Sequence, residues 1–213
     1  MKNEKKIIIF TGLSISHEEA SKILDADYRD PVRREDILKA IEDSPDVIGI
    51  IDGVFHQYPA VGHKEIIKAI EKGIIVIGGG SMGALRASEL DNLGMIGIGY
   101  VYEEYAKGNI DSDDDVAVVF DPSTKEALSE ALVNVNYKLK EAVKKGILNI
   151  NEKNELEVIA KSIYYPNRTY TRILKESNLD DSKKDKLRDF LVNTMNIKKQ
   201  DSIALLQYIK NLK

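Results

Sequence analysis

Residues 74–86 read Ile-Ile-Val-Ile-Gly-Gly-Gly-Ser-Met-Gly-Ala-Leu-Arg. Four apolar residues run into glycines, and the chain passes at once into helix-forming sequence from about Met82 to Leu93, ended by Gly94. An unbroken apolar run, rather than an alternating one, is the pattern of a strand covered on both faces. Ile7 to Thr11, Val47 to Ile51 and Val116 to Phe120 have the same character. Helical stretches separate the first three runs. Ser16 to Leu24 opens with a Ser-x-x-Glu capping pattern (Ser16, Glu19), and Arg33 to Glu42 sets Ile37, Leu38 and Ile41 on one side. Lys64 to Lys72 sets Ile66, Ile67 and Ile70 likewise, with Gly73 as its stop. This alternation predicts an α/β fold, a mostly parallel sheet with flanking helices over the first ~120 residues, with functional groups collected at the carboxyl ends of the strands.

From Ser123 the pattern changes. Leu128, Leu132, Val135, Leu139 and Val143 form an apolar stripe at helical spacing ended by Gly146, and Pro166 separates two later helical stretches. The expected organisation is an α/β domain over residues 1–120 carrying the site and a helical region over 121–213 packed on it or capping it. Thirteen of the 14 glycines and all three histidines fall in the first 120 residues, so the chemistry is expected there. The net charge of -4 divides into -9 up to Phe120 and +5 beyond it. That basic half points at an acidic partner or nucleic acid, but +5 spread over many helices is weak, solvated helix faces are the expected reading, and nucleic-acid binding has no interleaved aromatics to support it.

Composition narrows the chemistry. Hydrophobic residues make up 43% of the 213 and charged residues 31%, which excludes disorder and fibrous repeats. With no cysteine there is no disulfide, thiolate zinc site or persulfide, so sulfur or acyl chemistry must proceed without a thiol nucleophile. No apolar run approaches the roughly 18 residues of a membrane span, and the apolar part of MKNEKKIIIFTG is short for a signal peptide, so a cytoplasmic protein is expected.

The glycine turn is the strongest local signal. A strand ending in glycines and entering a helix leaves backbone N–H groups without intrahelical partners at the positive end of the helix dipole, a site for an anion. Gly79, Gly80, Met82 and Gly83 are the expected anion-binding positions. Gly79-Gly80-Ser81-Met82-Gly83 also fits G-x-S-x-G in the strand-turn-helix context of a nucleophile elbow, although Ser81 as a plain N-cap fits the same residues. Asp52 ends the preceding strand run, and His63-Lys64-Glu65 opens the next helix, so both are expected on the rim that carries Ser81. The dipole at a helix N-terminus favours a neutral imidazole, which gives His63 a base's role with Asp52 orienting its ring and Lys64 meeting an anion. His63 as a simple cap is the alternative. Arg86 and Glu89, three residues apart, share a helix face as an ion pair or with Arg86 turned to a bound carboxylate. Ser14 belongs to a further rim loop, Gly12-Leu-Ser-Ile-Ser16, which lacks G-x-G-x-x-G spacing, and no lysine follows the glycine turn as in a phosphate-binding P-loop. His17 and His56 are expected as surface or packing residues. Asp111-Ser-Asp-Asp-Asp115 lacks the glycine and distal glutamate of a calcium loop and is expected as a solvated turn, so no metal and no cofactor is called for.

IIDGVF (50–55), PAVGHKEI (59–66), SMGALRASEL (81–90), GMIGIG (94–99) and DDDVA (113–117), in that order, resemble the TfuA-like family. The resemblance covers roughly Ile7 to Phe120. It implies a protein working beside a YcaO-type ATP-dependent enzyme that converts a peptide backbone amide to a thioamide, in archaea the glycine thioamide of methyl-coenzyme M reductase. The part it implies for this chain is sulfur supply, by engaging a ubiquitin-like sulfur carrier ending in a glycine thiocarboxylate and releasing sulfide from it. Gly62, Gly79-Gly80 and Arg34-Glu35 depart from the family pattern and alter the walls of the rim. The mechanism expected from residues and resemblance together has His63, oriented by Asp52, activate water or Ser81, with N–H groups near Met82 and Gly83 holding the oxyanion. The rival is a docking protein that bridges carrier and YcaO enzyme and catalyses nothing.

Overall fold

Ile7–Phe10 (β1), Asp27–Arg29 (β2), Val47–Ile50 (β3), Ile75–Gly79 (β4) and Ile96–Ile98 (β5) pair in the order β2-β1-β3-β4-β5, every neighbouring pair parallel. The structure is a computed structural model describing residues 5–55, 58–121, 123–124 and 126–212. His56 lies outside the described residues. The chain groups into two compact units, Met1–Asp111 with Lys198–Lys213, and Ser112–Ile197.

In the first unit the crossovers carry His17–Ser21 (α1), Asp36–Glu42 (α2), His63–Glu71 (α3) and Met82–Leu90 (α4), and Tyr100–Ala106 (α5) follows β5. Local chemistry sets the ends as the sequence predicts. Ser16 Oγ accepts from Glu19 N–H to start α1, and a short 3-10 turn carries α4 on to Gly94, whose φ of 103° only glycine adopts without strain. Residues along each strand alternate between faces, so Ile9, Val47, Ile51 and Ile77 share one side, where they are buried with Ala20 and Leu24. Leu205, Leu206 and Ile209 of the helix Ile197–Lys210 complete that layer. Burying three such side chains contributes roughly 1.5–3 kcal/mol each. Gly79 permits the approach, since a Cβ there would stand 2.6 Å from the Ile98 carbonyl oxygen and 3.1 Å from Leu205 Cδ1. The same helix sends the Asp201 carboxylate to the N–H groups of Tyr100 (2.9 Å) and Val101 (2.7 Å) that open α5. Burial pushes Asp201 up to about 6 despite those bonds.

The second unit is helical: Leu132–Lys144 (α6), Ile150–Ser162 (α7), Tyr170–Glu176 (α8) and Asp181–Asn193 (α9), which makes Ile197–Lys210 α10. Leu132, Val135 and Leu139 of the predicted stripe are buried in its core with Leu156, Ala160, Ile173 and Leu187, whereas Leu128 precedes α6 and is exposed. Pro166 sits in the 3-10 turn Tyr165–Asn167 between α7 and α8. Arg168 is fully buried and ties the unit together. Its Nε donates to Ala160 O (2.9 Å), and Nη2 donates to Ile163 O (3.1 Å) and Asp114 Oδ2 (2.7 Å).

Two expectations about strands are corrected. Val116 to Phe120 is no strand: Phe120 makes an isolated antiparallel bridge to Ala127, and Val119 N–H donates to Ser129 Oγ. Val116 and Ala117 are apolar because they are buried in an irregular segment of the second unit, not because they belong to the sheet. The sheet instead gains β2 and β5, three-residue edge strands with polar or glycine-interrupted sequences that carry no apolar run. α10 likewise belongs with the sheet, so part of the +5 of the second half sits in the first unit.

Candidate functional site

The strand order reverses between β1 and β3, and in open parallel sheets the loops beyond that point form the ligand crevice. Asp52 stands there, buried, just past the end of β3. Its Oδ2 accepts from Thr11 Oγ1 (3.2 Å) and from the N–H groups of Gly12 (3.1 Å), Leu13 (2.9 Å) and Ser14 (2.8 Å). Ser14 Oγ donates to Oδ1 at 2.6 Å. Successive backbone N–H groups converging on one anion form a nest, and here the chain supplies the anion itself. Asp52 and Ser14 are therefore brought together, and Asp52 does not orient His63. His17 joins the same loop through Nε2 and Thr11 O, 2.9 Å apart.

Ser81 precedes α4 and is buried, with no side-chain capping bond. The φ of +72° falls on Gly80, not on the serine. Much of the expected anion pocket is occupied by the chain. Ser81 N–H donates to Gly79 O (2.8 Å) and Gly83 N–H to Ile51 O (3.1 Å), which leaves Met82 alone of the expected oxyanion donors. Gly83 is glycine because α4 rides on β3: a Cβ there would be driven into the Ile50 carbonyl oxygen. The glycines of the turn thus serve close packing of helix on sheet, and Met82 packs its own side chain over Gly53.

His63 finds its partner on α4. Its Nε2 lies 2.8 Å from Glu89 Oε2, and the same oxygen accepts from Arg86 Nη1 at 2.6 Å. Arg86 Nε donates to Val61 O at 3.2 Å, fixing the pair to the loop that leads into α3. An ionised carboxylate only accepts, so Nε2 carries a proton in this pair and Nδ1 is the ring nitrogen left outside it. The His63 side chain is 47% exposed, open enough to meet a ligand, whereas Arg86 is 12% exposed and acts as an anchor. Glu89 and Ser81 are eight residues apart along α4, about 12 Å of helix rise. Among the described residues neither Ser81 nor Asp52 bonds to His63, so the expected triad is three separate arrangements.

A groove of about 660 Å³ opens beside His63 where the first turns of α2 and α3 meet, with Leu38, Arg34, Lys64 and Lys68 in its walls. Glu65 also lines it, buried, with Oε1 accepting from Gly62 N–H (2.7 Å) and Oε2 without a hydrogen bond. Lys64 thus lies on the groove and not at the glycine turn. Sequence reading missed Glu89 as the partner of His63. Its only signal was the spacing of Arg86 and Glu89 on one helix face.

In the acidic run, Asp115 Oδ2 accepts from Ser112 N–H and Asp114 pairs with Arg168, so these carboxylates have structural partners. Among the described residues no three His, Asp or Glu side chains are grouped to hold a metal, and no helix is long and apolar enough to cross a membrane. A search of curated proteins finds no match to the chain. The model of the family described as TfuA-like protein matches residues 52–169, a span that runs from Asp52 through His63, Ser81 and Glu89 to Arg168. With more than half of its length in that match, the chain belongs to the TfuA-like family.

Proposed function

We propose that this protein is an accessory factor of peptide-backbone thioamidation that hydrolyses the thiocarboxylate of a ubiquitin-like sulfur carrier and releases sulfide for a YcaO-type ATP-dependent enzyme, with the methyl-coenzyme M reductase glycine as the eventual target. Family membership supports the setting, and the exposed His63 ring held by Glu89 beside a cationic groove carries the chemistry. In the proposed step Nδ1 of His63 takes a proton from water as its oxygen attacks the thiocarboxylate carbon. The imidazolium returns that proton to the sulfur as the C–S bond breaks, so hydrosulfide leaves, and the carboxylic acid so formed loses its proton to solvent: thiocarboxylate and water yield carboxylate, hydrosulfide and one proton. Glu89 holds the ring and stabilises the imidazolium, and Arg86 holds Glu89. Water is preferred to Ser81 as the nucleophile because no described base bonds to the Ser81 hydroxyl. Asp52 is reassigned from orienting His63 to shaping the β1–α1 loop.

The docking reading is favoured by one observation, the separation of Asp52, His63 and Ser81 into different hydrogen-bond networks. Purified protein with thiocarboxylated carrier and no YcaO enzyme separates the two. Hydrolysis predicts free sulfide and a loss of at least about 10²-fold in rate on His63→Ala, the usual scale for removing a general base. No sulfide from the wild-type protein, or full release by His63→Ala, refutes the catalytic assignment.

A further inference from the structure

Three cations converge on the α2–α3 groove from two helices: Arg34 before α2, and Lys64 and Lys68 one turn apart on α3. Among the described residues none of the three makes an ion pair or a side-chain hydrogen bond, whereas Lys39 on α2 is paired with Asp36 and Arg29 with Asp27 and Asp43. The carboxylates of Glu35 and Glu65 share these walls, so the three cations leave one positive charge in excess, and beside the N-terminus of a nine-residue helix that excess attracts an anion. The second observation is of a different kind. Glu65 is 7% exposed, lines this groove, and holds in its Oε2 a buried acceptor with no donor. Buried acceptors are ordinarily satisfied, and this one calls for a hydrogen-bond donor. Chloride or sulfate would supply the negative charge and no donor. The end of a polypeptide supplies both, its terminal carboxylate for the cations and the preceding amide N–H for the glutamate.

We infer that the α2–α3 groove seats the extended C-terminal tail of a protein, with its terminal carboxylate or thiocarboxylate among Arg34, Lys64 and Lys68 and its last carbonyl carbon beside His63. The assignment rests on the proposed handling of a carrier tail and moves that tail away from the glycine turn, whose Ser81 and Gly83 N–H groups are already spent. A volume of about 660 Å³ accommodates several small residues in extended form. Small residues are also what leave main-chain N–H groups free to approach Glu65.

The test uses the full chain and a short synthetic peptide ending in Gly-Gly with a free C-terminal carboxylate, which cannot release sulfide, so binding is read apart from turnover. Titration calorimetry is expected to give at least about tenfold weaker binding for the same peptide with a C-terminal amide, the scale of one charge contact. Arg34→Glu and Lys68→Glu are each expected to weaken the carboxylate peptide by about tenfold or more, while Lys145→Glu, with the same change of net charge outside the groove, leaves it unaltered. Equal affinity for acid and amide, no binding by either, or indifference to the groove reversals overturns the assignment. The two proposals fail separately. If the peptide binds as described and the wild-type protein releases no sulfide from thiocarboxylated carrier, the groove stands and hydrolysis falls. If Arg34→Glu and Lys68→Glu release sulfide at the wild-type rate at sub-saturating carrier, hydrolysis stands and the groove falls.

Discussion

Replacing Asp52 by alanine removes the acceptor of five hydrogen bonds, from Thr11 Oγ1, three consecutive N–H groups and Ser14 Oγ. A hydrogen bond to a charged group contributes about 1.5–3 kcal/mol net, and these five share one carboxylate, so they do not add. The N–H groups of residues 12–14 are only part-buried and can turn to water. The expected loss is therefore about 3 kcal/mol, below the full cost of stripping a buried charged network. Asp52→Asn keeps a carbonyl oxygen for the N–H groups and turns its amide towards Ser14 Oγ, which can accept; about 1 kcal/mol is expected. Native-state hydrogen exchange of the Gly12, Leu13 and Ser14 amides reads the effect locally. In Asp52→Ala those amides should exchange about two orders of magnitude faster, following tenfold per 1.4 kcal/mol, and millimolar formate should restore part of the protection by occupying the emptied nest. Unchanged exchange in the alanine variant would refute the nest and reopen Asp52 as a partner of His63.

Arg168→Met fills similar space with no donors and leaves the Ala160 and Ile163 carbonyls and the Asp114 carboxylate unmet; urea unfolding of the second unit should show a loss of about 3–5 kcal/mol, and a change under 1 kcal/mol would deny Arg168 its anchoring role. Asp201 has a folded-state pKa of about 6, above its ordinary value, so its protonation favours the folded state: the contribution is fully present below about pH 4 and is lost as pH rises through 6. Relative to Asp201→Asn, which does not titrate, the wild-type protein should gain about 2 kcal/mol between pH 7 and pH 4, and a flat difference across that range would contradict the burial of the carboxylate.

Sequence carried the sheet where burial on both faces writes itself as an unbroken apolar run, in β1, β3 and β4. It failed at β2 and β5, whose edge positions and three-residue lengths leave too little pattern, and at Val116 to Phe120, where apolar character marks core-facing loop residues. The candidate residues were legible as types in the right places: Asp52 does end a strand, His63 does open a helix, and Ser81 does sit between β4 and α4. Their partners were not. Whether a carboxylate at a strand end turns to a histidine eleven residues on or to a loop some forty residues back depends on the strand order, which no local period encodes. Glu89 reached His63 through the same long-range geometry, and the glycines read as ligand-facing stand close to other parts of the chain, Gly83 to the β3 backbone, Gly79 to β5 and α10, and Gly80 to α10.

The helix that covers Gly79 and meets α5 through Asp201 follows the entire helical unit in the chain. During synthesis the five strands can therefore emerge and pair while one side of the sheet remains wet, waiting for Leu205, Leu206 and Ile209. Closing that gap means joining segments separated by 86 residues of intervening polypeptide, Ser112–Ile197, a step whose entropic cost grows only slowly with length. Early folding of the intervening helices would shorten the effective tether, so this later-made helix acts as a clasp on a nucleus assembled before it.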